Sequence, residues 1–191
     1  MPACIAVNRI EAEELEKILT LQSSARKQVD LIFCGVGLRY KTKLRDWLKK
    51  KQPKDILVLG SCGACKPDLK RGAVISVNRV KNQHGTEITL SPGENSILTV
   101  NRPVLSPEFK LSLGKKYGVE AVDMETFSCV RLVKGLLPEC RIQCYRVVLD
   151  ELNEDLPDFS QALLNNVLQD HYKKVQASMA KVFSKWLDGF E

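Results

Sequence analysis

Short apolar runs alternate along this chain with longer stretches of helical periodicity, and few architectures satisfy that order. Parallel neighbours in a sheet need long crossover segments, and strands covered on both faces read as continuous apolar runs. The pattern therefore predicts an α/β fold with a mainly parallel sheet. Strands are expected near Cys4–Asn8, Leu31–Cys34, Ile56–Leu59, Ala73–Arg79, Ser96–Val100 and Cys140–Leu149. Helices are expected at Ala12–Ser23, Thr42–Lys51, Pro107–Tyr117, Glu125–Lys134 and Phe159–Leu187. Ser106 suits the cap of the third helix, with Pro107 at its first position. The polar stretch from Lys81 to Asn95, punctuated by Gly, Pro and Asn, reads as a loop or short hairpin over the sheet edge.

With 191 residues, one domain spanning 1–191 is the economical expectation. No apolar run approaches the roughly 18–20 residues that cross a bilayer, and the first residues lack the basic region of a secretory signal, so a cytoplasmic protein is expected. The seven cysteines lie mostly within apolar runs and read as reduced, buried thiols. Cys62 and Cys65 have the spacing of a redox or zinc pair, but no second pair accompanies them and the histidines are only His84 and His171; no metal is expected. The net charge of +6 comes largely from Lys41, Lys43, Arg45, Lys49–Lys51 and Lys54, interleaved with Leu44, Trp47 and Leu48. That spacing describes an amphipathic helix with a solvated basic face, and no nucleic-acid motif accompanies the charge.

Two acids stand where apolar runs meet other structure. Glu125, in Ala121-Val-Asp-Met-Glu-Thr-Phe127, opens an expected helix, and Asp150 ends the run Arg146-Val-Val-Leu-Asp150. An acid at a strand's C-terminal end sits where open α/β sheets bind small molecules. An ordinary first-turn acid and a loop acid are the alternative readings. Two glycine-rich segments, Cys34-Gly-Val-Gly37 and Gly60-Ser-Cys-Gly63, are expected as turns after strands, leaving backbone amides free for a ligand. Neither matches a dinucleotide or phosphate-loop fingerprint.

Taken in order, Ile5-Ala-Val-Asn-Arg-Ile-Glu11, Gly35-Val-Gly37, Gly60-Ser-Cys-Gly-Ala64, Val122-Asp-Met-Glu125 and Arg146-Val-Val-Leu-Asp150 resemble the nucleoside phosphorylase superfamily. The likeness is strongest to its nucleosidases of methylthioadenosine and S-adenosylhomocysteine. The short layout, with Asn101-Arg-Pro-Val104 before the Asp-Met-Glu motif, is most similar to the branch that includes adenosylhopane nucleosidases. The resemblance implies a three-layer sandwich around a central mixed sheet, a homodimer or higher homo-oligomer, a small nucleoside as ligand and no cofactor. It also implies roles. Asp150 matches the acid at the purine, Glu11 the glutamate that orients the attacking water, and Glu125 the acceptor of the ribose hydroxyls. Met124 packs against the sugar in this reading, while Ser61, Gly63 and Gly37 complete the substrate contacts.

Cleaving a ribosyl C1′–N bond builds positive charge on the sugar and negative charge on the purine, which is why an acid at the base and a held nucleophile are required. An aspartate facing the purine favours a 6-amino base. The chain departs from related phosphorylases at Val58, where they place a phosphate-binding arginine, and this favours hydrolysis over phosphorolysis; Arg39 and Lys41 remain as other sources of positive charge. It departs again at Leu149, where relatives commonly carry serine, losing one hydrogen bond that orients Asp150. The reading is a nucleosidase acting on an adenine nucleoside; the alternatives are a phosphate-dependent phosphorylase and a nucleoside binder without turnover.

Overall fold

The computed structural model describes residues 1–22, 29–154 and 167–189. Its first and third strands show what the apolar runs encode. In β1 (Pro2–Ala6) and β3 (Asp55–Ala64), Ala3, Ile5, Ile56 and Val58 enter one apolar cluster, while Cys4, Ala6, Leu57 and Leu59 enter another on the opposite face. Successive side chains of a strand point to opposite faces, so both strands are covered on both sides. One cover is α1 (Arg9–Gln22) with α5 (Val167–Asp188), through Ala12, Leu15, Val175, Met179 and Phe183. The other is α2 (Lys41–Lys51) with α4 (Thr126–Leu136), through Leu44, Leu48, Phe127, Val130 and Val133. Helices thus flank the sheet on both faces, giving the expected three layers.

β2 (Asp30–Phe33) and β1 pair in parallel, and β1 pairs in parallel with β3. On its other side β3 runs parallel to β8 (Arg141–Asp150), from Asp55 opposite Arg141 to Gly63 opposite Asp150. β8 is antiparallel to β4 (Val74–Asn82), which is parallel to β6 (Asn95–Thr99) and antiparallel to the short β5 (Glu87–Thr89). β6 then pairs in parallel with β7 (Ala121–Asp123), whose partner is the far end of β3. The order β3–β8–β4–β6–β7 therefore returns to β3, so part of the mixed sheet closes on itself. A third apolar cluster, with Leu98, Leu113, Val119 and Val122, joins α3 (Pro107–Tyr117) to β6 and β7.

Most element boundaries fall where the pattern places them. Ser106 caps α3, its hydroxyl accepting from the Phe109 amide at 3.2 Å, and Pro107 begins the helix. The basic residues of α2 are exposed around buried Leu44 and Leu48. The hairpin expected over the sheet edge is β4–β5. Three readings change. Gly60–Gly63 is not a turn but a continuation of β3, β7 is a strand too short to leave a periodic signal, and α4 begins after Glu125 rather than at it. Expected helical positions Ser23 and 159–166 lie outside the described residues. No described helix is long and apolar enough to cross a membrane.

Phe183 is fully buried in the cluster between α5 and the sheet, and stacks on Trp186 of the same helix with ring centroids 6.1 Å apart. Phe183→Ala is expected to cost about 3–5 kcal/mol through lost burial and the cavity left behind. Urea unfolding checks this by a lowered midpoint with an unchanged slope.

Candidate active site

β1, β3 and β8 run parallel, so their C-terminal ends open on the same edge of the sheet. Glu11 follows β1 on the first turn of α1, Ser61 and Gly63 lie at the end of β3, and Asp150 ends β8. β7 delivers Met124 and Glu125 just beyond its last residue. Glu11, Ser61, Gly63, Met124, Glu125 and Asp150 all line one cavity of about 110 Å³, although they are spread from residue 11 to residue 150. Its remaining described lining is mostly apolar and contains no Lys or Arg.

Glu11 is only 4% exposed and is held by several donors. The Asn8 amide and the Ser61 hydroxyl donate to Oε1 at 3.2 and 2.9 Å, and the Ser61 backbone amide donates to Oε2 at 3.2 Å. Asn8 in turn accepts the Glu11 backbone amide at 3.0 Å, so one side chain both caps α1 and orients the acid. Burial raises the Glu11 pKa; the donors and the nearby Arg146 charge only partly oppose it. The surface acids Glu13, Glu14 and Glu16 are partly or fully exposed.

Glu125 accepts the Gly37 amide at 2.7 Å. Burial and the neighbouring Asp123 push its pKa up to about 7, against the pull of Arg146 and of that amide. The Gly37 amide is directed at Glu125, and Gly37 is not among the described residues lining the cavity. The turn does need glycine, because Gly35 and Gly37 have φ of 73° and 60°.

Asp150 is 6% exposed. Burial raises its pKa, opposed by the ammonium of Lys110, which stands 2.5 Å from Oδ2. Gly63 exists to make this possible: a Cβ there would lie 2.8 Å from Asp150 Oδ2. Gly60 does the same for Arg146, whose Nη1 lies 1.8 Å from where a Cβ would stand. The glycines predicted as turn residues are in fact clearances inside a strand.

Arg146, Asp123 and Lys110 were not assigned roles from the sequence. Arg146 and Asp123 pair at 3.0 Å, each essentially buried. Arg146 Nε donates to Thr126 Oγ1 at 2.7 Å, and Asp123 accepts from Thr99 Oγ1 at 2.7 Å and from the Thr126 amide at 2.9 Å. Asp123 therefore caps α4, and the Glu125 side chain, relieved of that task, faces the cavity. A charged Arg146 inside an otherwise apolar strand was the available signal, since a buried charge requires a partner. For Lys110 the pattern misleads, because its neighbours Phe109 and Leu111 are the exposed ones.

All seven cysteines are free and buried. Burial raises their thiol pKa values, that of Cys65 to about 12 and that of Cys140 to about 11, so these are poor nucleophiles. Among the described residues no cluster of three or more His, Cys, Asp or Glu is arranged to hold a metal.

The fold is similar to that of solved futalosine hydrolase and nucleosidase structures. No protein-family model and no curated protein matches the sequence. Among solved structures, the futalosine hydrolase of Helicobacter pylori aligns with a TM-score of 0.79 at 13% identity, over 98% of this chain and 97% of that one. The 5′-methylthioadenosine/S-adenosylhomocysteine nucleosidase of Helicobacter pylori, bound to butyl-thio-DADMe-Immucillin-A, aligns at 0.78 and 14% identity, over 98% and 97%. The Campylobacter jejuni nucleosidase of the same name aligns at 0.69 and 13% identity, over 94% and 98%. At these identities the likeness is one of fold.

Two outcomes follow from the geometry. Gly63→Ala is expected to displace the Asp150 carboxylate while leaving the chain folded. Carbon-13 NMR of aspartate-labelled protein should show the Asp150 carboxyl signal displaced, with the far-ultraviolet circular dichroism unchanged. The second concerns pH. Glu125 binds its proton more tightly folded than unfolded, so the native state holds more protons between the ordinary carboxylate range and about 7. Stability therefore falls as pH rises through that window. Glu125→Gln removes this contribution, and thermal melts from pH 4 to 8 should show a flatter decline than wild type.

Proposed function

We propose that this protein is a nucleosidase that hydrolyses the N-glycosidic bond of an adenine nucleoside. The observation that carries the reading is the convergence of Glu11, Glu125 and Asp150, three buried carboxyls with raised pKa, on one cavity in a nucleosidase fold. Raised carboxyl pKa values suit groups that exchange protons near neutral pH.

In this reading water is held against Glu11, whose carboxylate accepts its proton as oxygen bonds to C1′. The C1′–N bond breaks, its electron pair leaves with the purine, and Asp150 delivers a proton to a purine nitrogen. Glu125 accepts hydrogen bonds from the ribose hydroxyls, and Met124 packs against the sugar. A general acid and a general base each typically contribute about 10²–10⁴-fold. An aspartate-to-asparagine variant of the Helicobacter pylori nucleosidase holds 5′-methylthioadenosine in its active site, which supports an adenine nucleoside as ligand class.

The lining supports water rather than phosphate as the nucleophile. Val58 lies in the apolar core, Arg39 and Lys41 are exposed and do not line the cavity, and Arg146 is engaged by Asp123. A phosphate dianion there would face Glu11, Glu125 and Asp150, with no lysine or arginine among the described lining residues.

Free adenine should be released from adenosine, methylthioadenosine, S-adenosylhomocysteine or a 5′-alkylated adenosine, with equal rates in the presence and absence of phosphate. Asp150→Asn and Glu11→Gln should each lower kcat by about 10²-fold or more. Release that requires phosphate would establish a phosphorylase instead, and tight adenosine binding without release would establish a binder.

A further inference from the structure

Lys110 is a lysine with no exposed side-chain surface, on a helix whose flanking residues Phe109 and Leu111 face outward. Its ammonium makes an ion pair with Asp150 Oδ2 at 2.5 Å and donates to the carbonyl oxygens of Glu151 and Glu154 at 3.2 and 3.4 Å. These contacts are directed at the last residue of β8 and the segment that follows it. The residue before Asp150 is Leu149, whose side chain packs with Leu59 and Tyr172 in the apolar cluster beneath α5 and offers no hydrogen bond. The acid at the purine end of the cavity is thus held from α3, a helix distant in sequence, and by a charge instead of a hydroxyl.

We propose that Lys110 is the positioning residue of Asp150: it fixes the carboxyl at the cavity wall and stabilises the carboxylate left when Asp150 gives up its proton. This rests on the nucleosidase reading. During cleavage the C1′–N electron pair passes to the purine, the Asp150 proton follows it to a ring nitrogen, and the new carboxylate lies beside the Lys110 ammonium. A cation so placed makes the carboxylic acid more ready to donate than burial alone would leave it.

The other groups facing Asp150 do not replace this charge. Glu154, from the segment after β8, raises the Asp150 pKa; Arg71, between β3 and β4, lowers it less than Lys110 does. Arg71 is itself engaged by Glu154 and by the Leu149 carbonyl. The Cys62 thiol of β3, the Cys65 thiol just beyond that strand and the Tyr172 hydroxyl of α5 complete the surroundings, and all three are held neutral with raised pKa values, burial being the first cause of each.

The test separates charge from tethering. Lys110→Gln keeps a donor for the Glu151 and Glu154 carbonyls without the charge, Lys110→Arg keeps the charge, and Lys110→Met removes both. Carbon-13 NMR of aspartate-labelled protein, with Asp150→Asn to assign the signal, reads the Asp150 titration without any substrate. Removing the cation should raise its midpoint by about one pH unit or more in the Gln and Met variants, with the Arg variant close to wild type. The basic limb of the kcat/KM profile for adenine release should move upward by the same amount, while kcat falls at least about tenfold and KM changes less. An unshifted titration in Lys110→Gln would overturn the proposal, even where all variants are less stable, because a purely structural lysine predicts lost stability alone. A shifted titration in a chain that releases no base from any nucleoside removes the nucleosidase reading, and with it the part played by Lys110 in catalysis.

Discussion

The buried pair between Arg146 and Asp123 is the constraint on which the site depends. A guanidinium in the middle of β8 must be neutralised where water cannot reach it, and the carboxylate that pairs with it comes from β7. β7 is held by only short ladders to β3 and β6, so the ion pair and its threonine bonds join that strand to the long central ones. Breaking such a pair by removing one partner typically costs about 3–5 kcal/mol, because a buried charge is left uncompensated. The same network caps α4 with Asp123, and so presents Glu125, two residues later, to the cavity.

Around that pair the chain is shaped by clearances as much as by contacts. β3 carries glycine at the two positions where its neighbour β8 sends charged groups across it, Arg146 over Gly60 and Asp150 over Gly63. Between them Ser61 holds Glu11 through both its hydroxyl and its amide. One strand segment therefore makes room for one cavity acid, Asp150, and orients another, Glu11. Glu11, Glu125 and Asp150 are buried enough for desolvation to dominate their proton affinity, and each is opposed by a different donor or cation: Ser61 for Glu11, Arg146 for Glu125, Lys110 for Asp150. Three carboxyls of the same chemical type can in this way occupy one cavity with different proton affinities.

Much of this was legible in the chain. The layered α/β order follows from apolar runs and helical periods, since each describes one covered face. Ser106 and Pro107 signal the start of α3 through cap chemistry that needs no tertiary partner. Glu11, Ser61, Met124, Glu125 and Asp150 were picked out by their places after apolar runs and by resemblance, and the cavity contains all of them. What the pattern hid has physical reasons. β7 contributes three residues, too few for any period to be seen. Gly60 and Gly63 look like turn residues because glycine is read locally, whereas their purpose is set by side chains arriving from β8.

By itself, the sequence determined the order of the longer strands and helices, most of the faces they bury, and that acids stand at the ends of the runs, because these depend on the order of residues along a few turns. Only the tertiary structure decided which charges meet. The pairing of Lys110 with Asp150, of Arg146 with Asp123 and of the Gly37 amide with Glu125 spans 23 to 88 residues of chain. Those distances close through the packing of the sheet and its helices. The proton affinity of each cavity acid is set there, by burial and by the charge brought beside it.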